Sequence, residues 1–100
     1  MKPAAVSRKP AAEPLEILYK PRPAYTEEAR LARIEGDVVI EALFTSSGTL
    51  RVLRVVRPLG YGLDQQAVEA AGKIRFRPAR EDGRSIDTVA TVRISFQMAY

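Results

Sequence analysis

The sequence has no cysteine and no histidine. Thiolate and imidazole metal sites, cysteine or histidine nucleophiles and any Ser-His-Asp triad are therefore excluded, and most enzymatic machinery goes with them. The carboxylates do not replace it. Glu27-Glu28 and Glu81-Asp82 are sequence neighbours whose side chains diverge, unlike an acid and a base facing one substrate bond, and they read as surface charges. No catalytic residue, metal ligand or cofactor is expected. Long apolar runs are missing too: no stretch approaches the roughly 20 residues that cross a bilayer, and no signal-peptide apolar region is present. The lack of cysteine fits an oxidising compartment and a reducing one alike.

What remains is 100 residues, 46% of them apolar, enough for one domain. Five of the seven prolines, Pro3, Pro10, Pro14, Pro21 and Pro23, fall in the first 23 positions. The packed part is nearer to about 75 residues, a thin two-layer core without room for a deep active-site cavity. Charge is also uneven. Lys2, Arg8, Lys9, Lys20 and Arg22 against Glu13 and Glu16 put three of the four net positive charges in residues 1–23. Residues 1–20 thus read as a basic Pro/Ala-rich linker, disordered or polyproline-like over Met1 to Glu13, with a short apolar patch at Leu15 to Tyr19 that adds at most a marginal strand. Residues 21–100 form the domain.

The packed part is organised around a hairpin. Gly36 opens a strand, Asp37 to Phe44, in which Val38, Ile40, Ala42 and Phe44 alternate with Asp37, Val39, Glu41 and Leu43. Thr45-Ser46-Ser47-Gly48 then turns the chain into a second strand, Leu50 to Val56. The phase of this second strand is ambiguous, because Leu50 with Val52 suggests one face and Leu53 with Val55 the other. Either the strand is covered on both sides or a bulge shifts its phase; the bulge is the expected case, with Leu50, Leu53 and Val55 inward and Arg51, Arg54 and Arg57 on the solvent side. Before the hairpin, Thr26 caps a short helix, Glu27 to Arg33, that Gly36 stops.

After a connection at Pro58 to Gly62, Leu63, Ala67, Ala70, Ala71 and Ile74 form one narrow helical stripe opposite Gln65, Gln66, Glu69 and Lys73. Phe76 and Pro78 end this helix, and Glu81-Asp82-Gly83-Arg84 makes a tight turn. The last strand, Thr88 to Met98, alternates cleanly, Ala90, Val92, Ile94, Phe96 and Met98 inward. A right-handed helical crossover places this third strand beyond the first, so the sheet order is second, first, third. The third strand is then a long, regular edge, which is a template for adding another strand.

Two motifs invite sharper readings. Gly60-x-Gly62 before a helix suggests a phosphate loop, but the third glycine and a ribose-binding acid are missing, and a flexible helix lead-in explains it. Lys73 to Arg80, a basic stretch with one aromatic, could join Arg54, Arg57 and Arg93 in a nucleic-acid face. The single net positive charge left for residues 24–100 favours a solvated helix end with cations near its C-terminus.

Taken in order, Tyr25-Thr26-Glu27-Glu28-Ala29-Arg30, Ile34-Glu35-Gly36-Asp37-Val38-Val39-Ile40, Ser47-Gly48-Thr49-Leu50, Gly62-Leu63-Asp64-x-x-Ala67, Ile74-Arg75-Phe76-Arg77-Pro78-Ala79, Asp82-Gly83-Arg84 and Val92-x-Ile94-x-Phe96 resemble the C-terminal domain of TonB energy transducers. The likeness spans about residues 21–98, and Thr26 stands where the family usually has proline. The resemblance implies a periplasmic domain, joined by a Pro-rich linker to an inner-membrane anchor and an ExbB/ExbD-type motor. Its last strand would pair with the TonB-box peptide of an outer-membrane transporter for siderophores or vitamins.

The expected fold is α+β: a small three-stranded antiparallel sheet of order 2-1-3 with two helices on one face. The expected core is Tyr25, Ala29, Val38, Ile40, Phe44, Leu53, Val55, Leu63, Ala67, Ala71, Ile74, Phe76, Val92, Ile94 and Phe96. The expected peptide-binding edge is Thr88, Val89, Ala90, Thr91, Val92, Arg93, Ile94, Ser95, Phe96 and Gln97, with Thr91, Arg93, Ser95 and Gln97 tuning specificity. The expected partners are the TonB box of an outer-membrane transporter and the motor, without nucleic acid. The competing readings are a module that forms a homodimer through the same edge and a small basic nucleic-acid binder.

Overall fold

The computed structural model describes residues 12–98, so the expectations for residues 1–11 lie outside the described residues. The central sheet is antiparallel and three-stranded, in the order β3-β2-β7, with β2 at Gly36–Phe44, β3 at Leu50–Arg57 and β7 at Thr88–Phe96. This is the second, first, third order expected from the crossover rule. Thr45 ties the β2–β3 turn, its hydroxyl bonding the Thr49 carbonyl at 2.9 Å and its carbonyl accepting from Gly48 N–H at 3.1 Å.

Two helices lie on one face. Helix α1 (Glu27–Ala32) is capped as expected: Thr26 Oγ1 accepts from Ala29 N–H at 3.1 Å, and it also donates to the Tyr61 carbonyl at 2.7 Å. The helix ends at Ala32, one residue earlier than the sequence suggested, and Arg33, in the left-handed conformation with φ 57, caps it in the place expected of Gly36. Gly36 serves the close approach of the next loop: its φ is +148, and a Cβ there would meet Leu59 Cδ2 at 3.0 Å. Helix α2 (Leu63–Gly72) packs across all three strands through Leu63, Ala67 and Ala71, the small alanines allowing the close approach.

The helix was expected to run on to Phe76. Instead it stops at Gly72, and Arg75–Arg77 forms strand β4, antiparallel to β1 (Glu16–Tyr19). The reason is visible in the alternation: Phe76 is buried between exposed Arg75 and Arg77, a two-residue period, and it meets Phe44 edge to face at 4.9 Å. The apolar patch at Leu15 to Tyr19 provides its partner strand, and Glu13 and Arg80 extend the contact with a reciprocal pair of backbone bonds of 2.8 and 2.9 Å. A small hairpin, β5 (Arg80–Glu81) and β6 (Arg84–Ser85), closes on Asp82 and Gly83, both at positive φ as a type I′ turn requires.

The core lies between the central sheet and the helices. Val38, Ile40, Phe44, Leu63, Ile94 and Phe96 are its largest buried members or nearly so, joined by Ala29, Ala67, Ala71, Ile74, Phe76 and Val92, while Tyr25 and Val55 are half-buried against it. Tyr25 crosses Phe96 edge to face at 5.6 Å and donates its hydroxyl to the Ile34 carbonyl at 2.7 Å. Leu53 does not belong to the core. It is 48% exposed, because the bulge falls on Leu53 itself: Glu41 pairs with Arg54 and Ala42 with Val52, leaving Leu53 unpaired between them. A second bulge leaves Val56 unpaired, so that Leu50, Val52 and Val55 face inward.

Candidate peptide-binding edge

Strand β7 hydrogen-bonds β2 along its whole length and, among the described residues, pairs with no strand on its other side. Two contacts establish which backbone groups face that side. Met98 N–H, an even position, donates to Glu35 Oε2 at 2.7 Å next to the start of β2. The Arg93 carbonyl, an odd position, accepts from Lys20 Nζ at 2.8 Å. Because N–H and C=O of one residue point the same way and alternate along a strand, Val89, Thr91, Arg93 and Ser95 present their backbone groups outward, while Ala90, Val92, Ile94 and Phe96 bond β2.

The side chains divide by the same parity. Val92, Ile94 and Phe96 are buried and Ala90 is half-buried, whereas Val89, Thr91, Arg93 and Ser95 are exposed on the solvent face. Thr88 is half-buried at the strand's start, and Gln97 lies just beyond its end, exposed. Ser95 Oγ donates to Asp37 Oδ1 at 2.7 Å, and Arg93 Nε stands 3.6 Å from Asp37 Oδ2, so β2 orients two of the outward residues. Local sequence holds no signal for the neighbour of this edge: Lys20 to Pro23 runs beside Ile94 and Ser95, and Arg22 also lines a hollow with Gln97 and Met98.

The competing sites do not assemble. Phe76, the aromatic of the basic Lys73 to Arg80 stretch, is buried against Phe44, so it cannot stack on a base, and Arg54, Arg57 and Arg93 lie on the opposite face of the sheet. The amides of the would-be phosphate loop already have an anion. Asp64 Oδ1 accepts from Leu59 N–H at 2.8 Å and Oδ2 from Gly60 N–H at 3.1 Å.

The solution NMR structure of the Pseudomonas aeruginosa TonB C-terminal domain is similar with a TM-score of 0.61 and 27% sequence identity, over 86% of this chain and 88% of that one. No curated protein sequence matches the chain. The family model described as Gram-negative bacterial TonB protein C-terminal matches residues 21–98. By that match, covering nearly all of the described fold, the chain belongs to the TonB C-terminal family.

Proposed function

We propose that this chain is the periplasmic, transporter-facing domain of a TonB-like energy transducer, and that it holds its partner by adding an extended peptide to β7. The observation that carries the reading is the nine-residue edge strand whose odd positions turn their backbone groups away from β2. An incoming strand finds there the donors and acceptors it needs, so main-chain bonds supply affinity while Thr91, Arg93, Ser95 and Gln97 read the peptide's side chains. The peptide is the TonB box of an outer-membrane transporter for siderophores or vitamins. Residues 1–20 act as the basic Pro/Ala-rich linker, its last part laid against the domain as β1, and residues 21–100 as the domain. Through the linker, an inner-membrane ExbB/ExbD-type motor pulls on the captured strand. The domain binds and transmits force and is not an enzyme. Affinity is modest, since one added strand is a small interface and the peptide must be ordered as it binds.

An amide-shift NMR titration with a short extended peptide from a transporter N-terminus tests this. Shifts and new exchange protection concentrated in Thr88 to Gln97 are the expected result. Binding that leaves that strand unperturbed overturns it, and concentration-dependent broadening of the same strand without peptide points to self-pairing instead.

A further inference from the structure

Arg51, Arg54 and Arg57 recur along β3 at a three-residue spacing, which in an unbroken strand sends successive members to opposite faces. The bulges at Leu53 and Val56 cancel that alternation. Each inserts one unpaired residue, so Arg51 comes to oppose Leu43, Arg54 to oppose Glu41 and Arg57 to oppose Val39, all on the solvent face of β2. On the other side of β2, Val89, Thr91 and Arg93 oppose the same three residues. The open face of the sheet is thus built of three cross-strand rows: Arg57-Val39-Arg93, Arg54-Glu41-Thr91 and Arg51-Leu43-Val89.

This face has an excess of positive charge, four arginines against Asp37 and Glu41. Glu41 pairs with Arg54 at 2.9 Å, and Asp37 is divided between Ser95 and Arg93. Arg51 and Arg57 have no ion-pair partner among the described residues. Aliphatic Val39, Leu43 and Val89 lie between the charges, with Val89 55% exposed, and both helices pack on the far side. A shallow cleft opens at the first row, between Arg57, Pro58 and Leu59 on one flank and Asp37 and Arg93 on the other.

We propose that this face, which shares Val89, Thr91 and Arg93 with the strand-adding edge but extends across β2 and β3, docks an acidic amphipathic helix of a partner protein. A sheet face with aliphatic rows is covered by a helix in most two- and three-layer folds, and one helix about 10 Å wide spans about two strands. The charges select its composition: carboxylates above the rows meet guanidinium groups in bidentate geometry, and its aliphatic residues settle on Val39, Leu43 and Val89. A carboxylate over Val39 lies within reach of Arg57 and Arg93 at once, since both flank it on adjacent strands about 5 Å away. The face offers no aromatic to stack a base, and its aliphatic residues between the arginines call for apolar side chains beside the carboxylates, so an amphipathic polypeptide fits better than nucleic acid.

The test is a titration of the ¹⁵N-labelled chain with a stapled helical peptide of glutamate and leucine, which has no strand edge to offer β7. Shifts at Val39, Leu43 and Val89 and at the Arg51 and Arg57 side chains are expected, weakening as salt rises. The double variant Arg51→Glu, Arg57→Glu should lose affinity about tenfold or more, and Arg51→Gln, Arg57→Gln should fall between it and the unaltered chain. Both variants should take up the extended transporter peptide unchanged, which separates failure of this inference from failure of the edge reading. Shifts confined to the β7 backbone, equal binding by the charge-reversed variant, or tighter binding of phosphatidylglycerol vesicles or an oligonucleotide through the same arginines would overturn the proposal.

Discussion

Lys20 donates its ammonium to the carbonyl of Arg93 at 2.8 Å, joining the chain's entrance to the middle of its last strand. The acceptor is one of the outward groups that an added strand would use, so Lys20 occupies a place a peptide N–H would take. Lys20→Met should therefore leave peptide affinity the same or raise it two- to fivefold, about 0.5–1 kcal/mol, with little change in thermal stability because the bond is exposed. Isothermal titration of the two proteins with one extended peptide measures this. A fall in affinity would mean that Lys20 contacts the peptide itself.

The parity of β7 gives a paired prediction. Thr91 turns its N–H outward, so proline there removes no bond to β2, whereas Val92 opposes Ile40 with its backbone groups inside the ladder. Thr91→Pro should abolish peptide capture and cost about 1 kcal/mol of stability; Val92→Pro should cost about 3 kcal/mol or more. Circular dichroism melts and peptide titration on both variants check it. Equal destabilisation by the two prolines would show that the assigned parity is wrong.

The bulge at Leu53 is tested by substitution along β3. Leu53 is 48% exposed, so Leu53→Ser should change stability by no more than about 0.5 kcal/mol. Val52 and Val55 point inward beside the core, and truncation of either to alanine should cost about 1–2 kcal/mol. Urea titration of the three variants ranks them; a larger loss at Leu53 than at Val52 would restore the phase that sequence alone suggests.

That difference marks how far the sequence could be read. Strands β2 and β7 alternate without interruption, and α2 carries a single stripe, so periodicity alone assigns their faces, and the crossover rule orders the sheet. In β3, apolar residues at Leu50, Val52, Leu53 and Val55 satisfy either phase, and only the partner residues on β2 decide where the bulge falls. Strand β4 is three residues long, so its Arg-Phe-Arg alternation is too brief to outweigh the helical stripe before it, and its partner lies about 60 positions earlier in a patch that reads as a marginal strand. The edge followed from topology; the Lys20 contact, 73 positions away from Arg93, has no local trace.

Asp64 provides the last prediction. It sits in the first turn of α2, where a carboxylate is favoured by the exposed amides, yet its oxygens reach back to Leu59 and Gly60 N–H at 2.8 and 3.1 Å. The contact folds the β3–α2 connection over the start of β2, where Leu59 closes on Gly36. Asp64→Ala leaves two partly buried amides without their charged acceptor and should cost about 2–3 kcal/mol, while Asp64→Asn keeps one acceptor and should cost about 1 kcal/mol. Against a typical total of about 5–15 kcal/mol the alanine variant still folds, with a thermal midpoint lower by about 10 °C. Hydrogen exchange locates the effect: Leu59 and Gly60 should lose protection while Val92, Ile94 and Phe96 keep theirs, and uniform loss across β7 would show instead that Asp64 supports the whole sheet.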